Sequence, residues 1–179
     1  MKRSLCESES LDGHLPSYEF LFASPIAGLA YLCFRFRIMS RFSSLGLDEL
    51  LCTIDCWRFP FVSSVPEPMR VGASILGIRF AEWFFRSLVA LGLVAQEEDT
   101  CLFRALSRYA LLQAMGLRPS FLIGINCAAS DVEKEEGHAW VEVNALAILE
   151  RHNPRGRHSP VFLYPSMIIE DQDGASVSG

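Results

Sequence analysis

A secretory signal, a membrane span, a basic block and a phosphate-binding loop are all missing from the pattern of these 179 residues. The start, MKRSLCESESLDGH, passes from two cations into polar residues with no apolar segment behind them, so export is not expected. The six cysteines (Cys6, Cys33, Cys52, Cys56, Cys101, Cys127) are then expected to be reduced thiols of a cytoplasmic protein. Net charge is −5 with no run of lysine or arginine, which excludes a nucleic-acid footprint. The apolar stretch FLFASPIAGLAYLCF (20–34) contains Pro25 and stops at Arg35 and Arg37, short of the ~20 residues a spanning helix needs. A second, SILGIRFAEWFFRSLVALGLV (74–94), carries Arg79, Glu82 and Arg86 on one helical stripe, with Glu82 and Arg86 spaced to pair. It reads as an amphipathic helix packed on a core, not as a membrane contact. Cys52 and Cys56 stand four apart, but no second Cys/His pair follows at zinc spacing, so no metal is expected. No internal repeat is visible.

Half of the residues are apolar, enough for one domain with a core and a helical extension. Residues 1–18 read as a polar, poorly ordered start, and 19–95 as a helical region interrupted by the turn-like SSLG (43–46) and the proline-rich FPFVSSVPEP (59–68). A catalytic region is expected over 96–170 and a loose tail over 171–179. In that region a helix runs from near Cys101 to Met115, closed by Gly116 with Pro119 beyond. The period then changes to alternation: SFLIGIN (120–126), HAWVEV (138–143) and ALAILE (145–150) read as strands. PVFLYPSMII (160–169) is a weaker strand, broken by Pro165. Helices followed by strands give an α+β fold, with a nucleophile-bearing helix packed on an antiparallel sheet.

The chemistry starts at Cys101. A thiol in the first turn of a helix, with Thr100 or Asp99 as N-cap, meets unpaired N–H groups and the positive end of the helix dipole, which favour a thiolate. The backbone N–H there also suits an oxyanion. Of the histidines, His14 lies in the loose start and His152 and His158 in a basic loop. Only His138 falls on an expected strand. A three-residue hairpin loop, Val143–Asn144–Ala145, sets Glu150 opposite His138, within reach of an imidazole–carboxylate hydrogen bond. A two-residue loop instead sets Glu150 opposite Ala139, on the other face. Cysteine, histidine and carboxylate so arranged are the parts of nucleophilic acyl transfer. Trp140 and Glu142 share the face of His138, Trp140 as core or cleft wall and Glu142 as a second carboxylate too far along the strand to orient the imidazole. Arg104 and Arg108 lie on one helical stripe and read as a solvated face, with substrate or partner contact as the alternative.

The ordered run TCLFRALSRYALLQAMGLRPSFLIGIN, then GHAWVEVNALAILE, closely resembles the transglutaminase-like leader peptidases of bacterial lasso-peptide biosynthesis. These show a Cys-Leu-x-Arg-Ala-Leu helix ending in Gly, a Leu-Val-Ile-Gly-Val strand, a His-Ala-Trp-Val-Glu strand and a carboxylate twelve residues after the His. The corresponding residues here are Cys101, Leu102, Arg104, Ala105, Leu106, Gly116, Leu122 to Ile125, His138 to Glu142 and Glu150. The resemblance spans about fifty residues. Three departures stand out: Glu150 where the family usually has Asp, Ala145 where its turn often has Gly, and a long acidic insert, CAASDVEKEEG (127–137).

The resemblance implies a papain-type, transglutaminase-like fold and a cysteine endopeptidase without a cofactor of its own. Such an enzyme removes the leader of a ribosomally made precursor in antibiotic biosynthesis, before macrolactam formation. It also implies a separate small leader-binding protein and an asparagine-synthetase-like cyclase, the partner that uses ATP. Residues 20–94 fall outside the firm part of the resemblance and are expected to offer a surface to leader or partners. A cross-linking acyltransferase with the same triad, or a non-catalytic scaffold of the same fold, are the alternative functions.

Overall fold

A computed structural model describes residues 17–59, 65–95, 100–126 and 137–165. The expectations for 1–16, for the middle of the proline-rich linker (60–64), for most of the acidic insert (127–136) and for the tail lie outside these residues. Four helices come first: α1 (Ser17–Phe42), α2 (Leu47–Asp55), α3 (Glu67–Ala90) and α4 (Cys101–Ala114). Four strands follow, β1 (Ser120–Asn126), β2 (Gly137–Val143), β3 (Leu146–Ala147) and β4 (His158–Tyr164), with a short 3-10 turn at Pro154–Gly156. The sheet order is β3-β2-β1-β4 and every pairing is antiparallel. The fold is α+β with an N-terminal helical region.

Alternation along β2 sends Ala139, Val141 and Val143 into the core cluster that holds Ala105, Leu106, Tyr109 and Leu112 of α4. Tyr109 meets Phe121 of β1 edge-on, with ring centroids 6.3 Å apart. On the other face, Gly124 leaves room for the Trp140 ring, since a Cβ there would come within 2.9 Å of two of its carbons. The helical region joins this half through α1, which packs on both α3 and α4. Gly28 and Gly77 allow α1 and α3 to touch at the backbone, because a Cβ on Gly77 would fall 2.7 Å from the Gly28 nitrogen. Asp55 at the end of α2 accepts from Tyr109 Oη and Tyr164 Oη, both at 2.7 Å, and from Gln113 Nε2 at 3.1 Å, tying α2 to α4 and β4. Burial and the bond to Asp55 hold both tyrosine hydroxyls protonated, far above their ordinary range.

α4 is closed at both ends by local chemistry. Thr100 is the N-cap, its hydroxyl accepting from Phe103 N at 3.4 Å. At the other end Leu117 N donates to Leu112 O and Gly116 N to Gln113 O, with Gly116 at φ +67°, a Schellman closure. Arg70 Nη1 donates to the Met115 carbonyl at 2.8 Å.

Four sequence expectations need correction. α3 ends at Ala90 instead of running to about Val94. The strand expected over 145–150 shrinks to Leu146–Ala147. β4 starts earlier than expected and takes in His158. The hairpin loop has two residues, because Val143 pairs with Leu146 and Glu142 with Ala147. Asn144 (φ +52°) and Ala145 (φ +62°) are both left-handed, as a tight turn of type I′ requires.

No helix among the described residues is long and apolar enough to cross a membrane. α3 does pack on the core, burying Ala73, Ser74, Gly77, Ile78, Ala81 and Phe85. Its outer face exposes Phe80, Trp83 and Phe84.

Candidate active site

The two-residue turn should have carried Glu150 away from His138. The ladder is kept as far as Ile148, whose N–H donates to Val141 O at 2.9 Å. At the next residue it breaks: Leu149 adopts φ +58° and redirects the chain. Glu150 therefore leaves the sheet and returns to the imidazole from a loop, with His138 Nε2 3.2 Å from its Oε2. The residues meet, but by a route that the expected register does not describe.

The other carboxylate oxygen is held from below. Arg108 Nη1 donates to Glu150 Oε1 at 2.7 Å and to the Ile148 carbonyl at 3.1 Å. Its Nε and Nη2 reach Glu82 Oε1 and Oε2 at 2.8 and 3.2 Å, a two-pronged guanidinium–carboxylate pair. Tyr31 of α1, fully buried, donates to Glu82 Oε1 at 3.1 Å. Arg108 is only 5% exposed, so the solvated face read from its helical stripe does not exist at this position. Its burial opposes the charge, but the hydrogen bond to Glu82 and the charges of Glu82 and Glu150 outweigh that, holding it above its ordinary value. Glu82 likewise pairs with Arg108 and not with Arg86, its neighbour on the helix. Tyr31 is held protonated by burial and by the Glu82 charge.

Glu142 belongs to a different unit. It accepts from Trp140 Nε1 at 2.9 Å and from Arg155 Nε and Nη2 at 2.7 and 2.8 Å. The bond from Arg155 is the main reason its carboxyl sits below the ordinary range. This pair pins the 3-10 turn to β2. Trp140 is fully buried and is absent from the lining of the cleft, so it backs the site from inside the sheet. Its ring lies nearly parallel to His138, at 14° with centroids 6.0 Å apart.

A cavity of about 390 Å³ opens here, and Cys101, His138 and Glu150 all line it. Cys101 is half-buried at the first position of α4, and its thiol is free. Arg104 lines the same cavity, its Nε donating to the Thr100 carbonyl at 3.4 Å. His152 and His158 also line it, and His158 stands 5.2 Å from His138, ring to ring. The sequence pattern places both in a basic loop, whereas His158 opens β4. The signal for His158 was the alternation HSPVFLY, obscured by Pro160 inside the strand. Among the described residues no group of histidine, cysteine and carboxylate side chains could hold a metal ion. Cys56 Sγ instead donates to the Cys52 carbonyl at 3.6 Å.

Residues 78–162 match the family model of the transglutaminase-like superfamily. The match runs from within α3 to within β4 and takes in Glu82, Cys101, Arg108, His138 and Glu150. The superfamily includes cysteine proteases and acyltransferases. No curated protein and no solved structure gives a significant match.

Proposed function

We propose that this protein is a cysteine endopeptidase that removes the leader from a ribosomally made lasso precursor peptide. The observation that carries the reading is the contact of His138 with Glu150 on the wall of a cavity that Cys101, at the start of α4, also lines. Glu150 faces Nε2, so a proton kept on Nε2 leaves Nδ1 basic. In this mechanism Nδ1 takes the thiol proton of Cys101 as sulfur attacks the scissile carbonyl. The oxyanion forms at the helix start, where backbone N–H groups have no partner within the helix. The tetrahedral adduct collapses to a thioester as His138 hands the proton to the leaving amine. Water, deprotonated by the same imidazole, then hydrolyses the thioester and restores the thiol.

The leader and its precursor are proposed from the run of residues around Cys101, His138 and Glu150 that resembles the leader peptidases. The freed core amine would pass to a separate ATP-dependent, asparagine-synthetase-like cyclase. A small leader-binding protein would deliver the precursor, and the exposed apolar side chains Phe80, Trp83 and Phe84 of α3 support an interaction surface outside the cleft. A cytoplasmic location belongs to the same proposal.

The test is cleavage of a small precursor peptide encoded beside such a cyclase, run in water enriched in ¹⁸O. One ¹⁸O is expected in the new carboxylate of the leader fragment, and none of this product with Cys101→Ala. Transfer of the leader acyl group to an added amine in place of water would replace the peptidase with an acyltransferase. Undiminished cleavage by Cys101→Ala would exclude the nucleophile.

A further inference from the structure

The described residues that line the cleft carry more positive than negative side chains, in a chain whose net charge is −5. Five arginines line it against two carboxylates, Glu82 and Glu150, and Arg108 already pairs with both of these. That leaves Arg86 of α3, and Arg151 and Arg157 of the segment between β3 and β4, with no further carboxylate among the described residues of the lining. The guanidinium groups of Arg86, Arg151 and Arg157 make no ion pair with any described residue, and all three residues are exposed. They come from two distant parts of the chain, α3 and the segment before β4, yet they share the cavity wall with Cys101 and His138.

We infer that the cleft selects a peptide carrying carboxylate side chains beside the bond that is cut. This deepens the peptidase reading and rests on Cys101 being the nucleophile. Guanidinium forks match carboxylates in shape and charge, and a concave site of one sign concentrates the opposite sign at its mouth. The cavity volume is that of a site for a few side chains.

Two thiol-directed probes test this without the natural substrate: acetyl-Glu-Glu-Gly chloromethyl ketone and its Gln-Gln-Gly counterpart. In either case the Cys101 thiolate forms a bond to the probe's CH₂ and chloride leaves. The rate of alkylation at Cys101, read by mass spectrometry, is expected to be about tenfold higher for the acidic probe at low salt. That ratio should fall towards one in about 1 M NaCl, where the screening length is only ~3 Å. Arg151→Glu/Arg157→Glu should reverse the preference, read as the ratio of the two rates within the one variant, and an unaltered melting temperature shows that the variant is folded. Arg151→Gln/Arg157→Gln should weaken the preference without reversing it. Equal rates for the two probes on the unaltered protein, with Cys101 labelled, overturn the acidic preference and leave the peptidase reading standing. An equal fall for both probes in the charge-reversed variant overturns the role of these arginines. Labelling of other cysteines ahead of Cys101 overturns the nucleophile itself, and this proposal with it.

Discussion

Glu150 has both carboxylate oxygens engaged, one with His138 Nε2 and the other with Arg108 Nη1. Its proposed task is therefore orientation: it fixes the ring and the tautomer, while Arg108 keeps the carboxylate in place. Glu150→Gln keeps the size of the side chain but removes its charge, and its amide can offer the imidazole a donor where an acceptor is needed. Turnover is expected to fall about 10²- to 10⁴-fold with KM little changed, the pattern of an orienting carboxylate. Steady-state kinetics on the cleaved precursor decide it, and a fully active Glu150→Gln would remove Glu150 from the site. Glu150→Asp keeps the charge but is one methylene shorter, so it cannot span both partners without a shift of the loop; its activity is expected between the two. Cys101→Ala is expected to abolish cleavage and leave the melting temperature nearly unchanged, because Ala suits the first turn of a helix and the capping Thr100 is untouched. Melting curves recorded beside the cleavage assay separate loss of the nucleophile from loss of the fold.

The β2–β3 hairpin shows what a sequence reveals of an element and what it hides. α4 was legible at both ends because its closures are local: Thr100 within three residues of its start, Gly116 just past its end. The turn was not: along a regular ladder only a three-residue loop sets Glu150 opposite His138, and nothing local in the sequence marks the break at Leu149 that lets a two-residue turn bring them together. The chain accepts the left-handed alanine, a cost of about 1–2 kcal/mol. Ala145→Gly is then expected to raise stability by about 0.5–1 kcal/mol after glycine's own entropic cost, with activity unchanged; thermal melting measures it. A fall in melting temperature would show that the turn is not left-handed at this position. The next element, the 3-10 turn, hangs on the Arg155–Glu142 pair. Glu142 is lowered in the folded protein, so its contribution is fully present above the ordinary carboxylate pKa and is lost as pH falls through the lowered value. Glu142→Gln should therefore cost about 1–3 kcal/mol near neutral pH, and the gap to the unaltered protein should close below about pH 4. A gap that stays constant down to pH 2 would show that the charge is not what holds the turn.

Across the whole molecule the two halves meet at one buried charge. Tyr31 of α1 and Glu82 of α3 approach Arg108 from the helical region, and Glu150 and the Ile148 carbonyl approach it from the half that holds the sheet. Sequence could not show this, since Glu82 is 26 residues from Arg108 and Glu150 is 42. Helical spacing within α3 and within α4 favoured local, solvated readings for Glu82 and Arg108 alike. The long-range packing of α1 on both helices decides otherwise. A role for the helical region follows: it supplies the counter-charge that lets Arg108 stay buried and hold Glu150. Arg108→Met fills a similar space but leaves Glu82 and Glu150 without their cation. Removing one partner of a buried ion pair typically costs about 3–5 kcal/mol, and the loss here should appear as a lower denaturation midpoint. Glu82→Gln offers a milder probe, because Arg108 keeps Glu150 and the Gln carbonyl can still accept one bond. It is expected to cost less stability than Arg108→Met and to lower kcat more than it raises KM, since the loosened Arg108 lets Glu150 and the imidazole wander from their working positions. If the helices served only as a structural support, Glu82→Gln would lower the midpoint while kcat, measured well below it, stayed at the unaltered value.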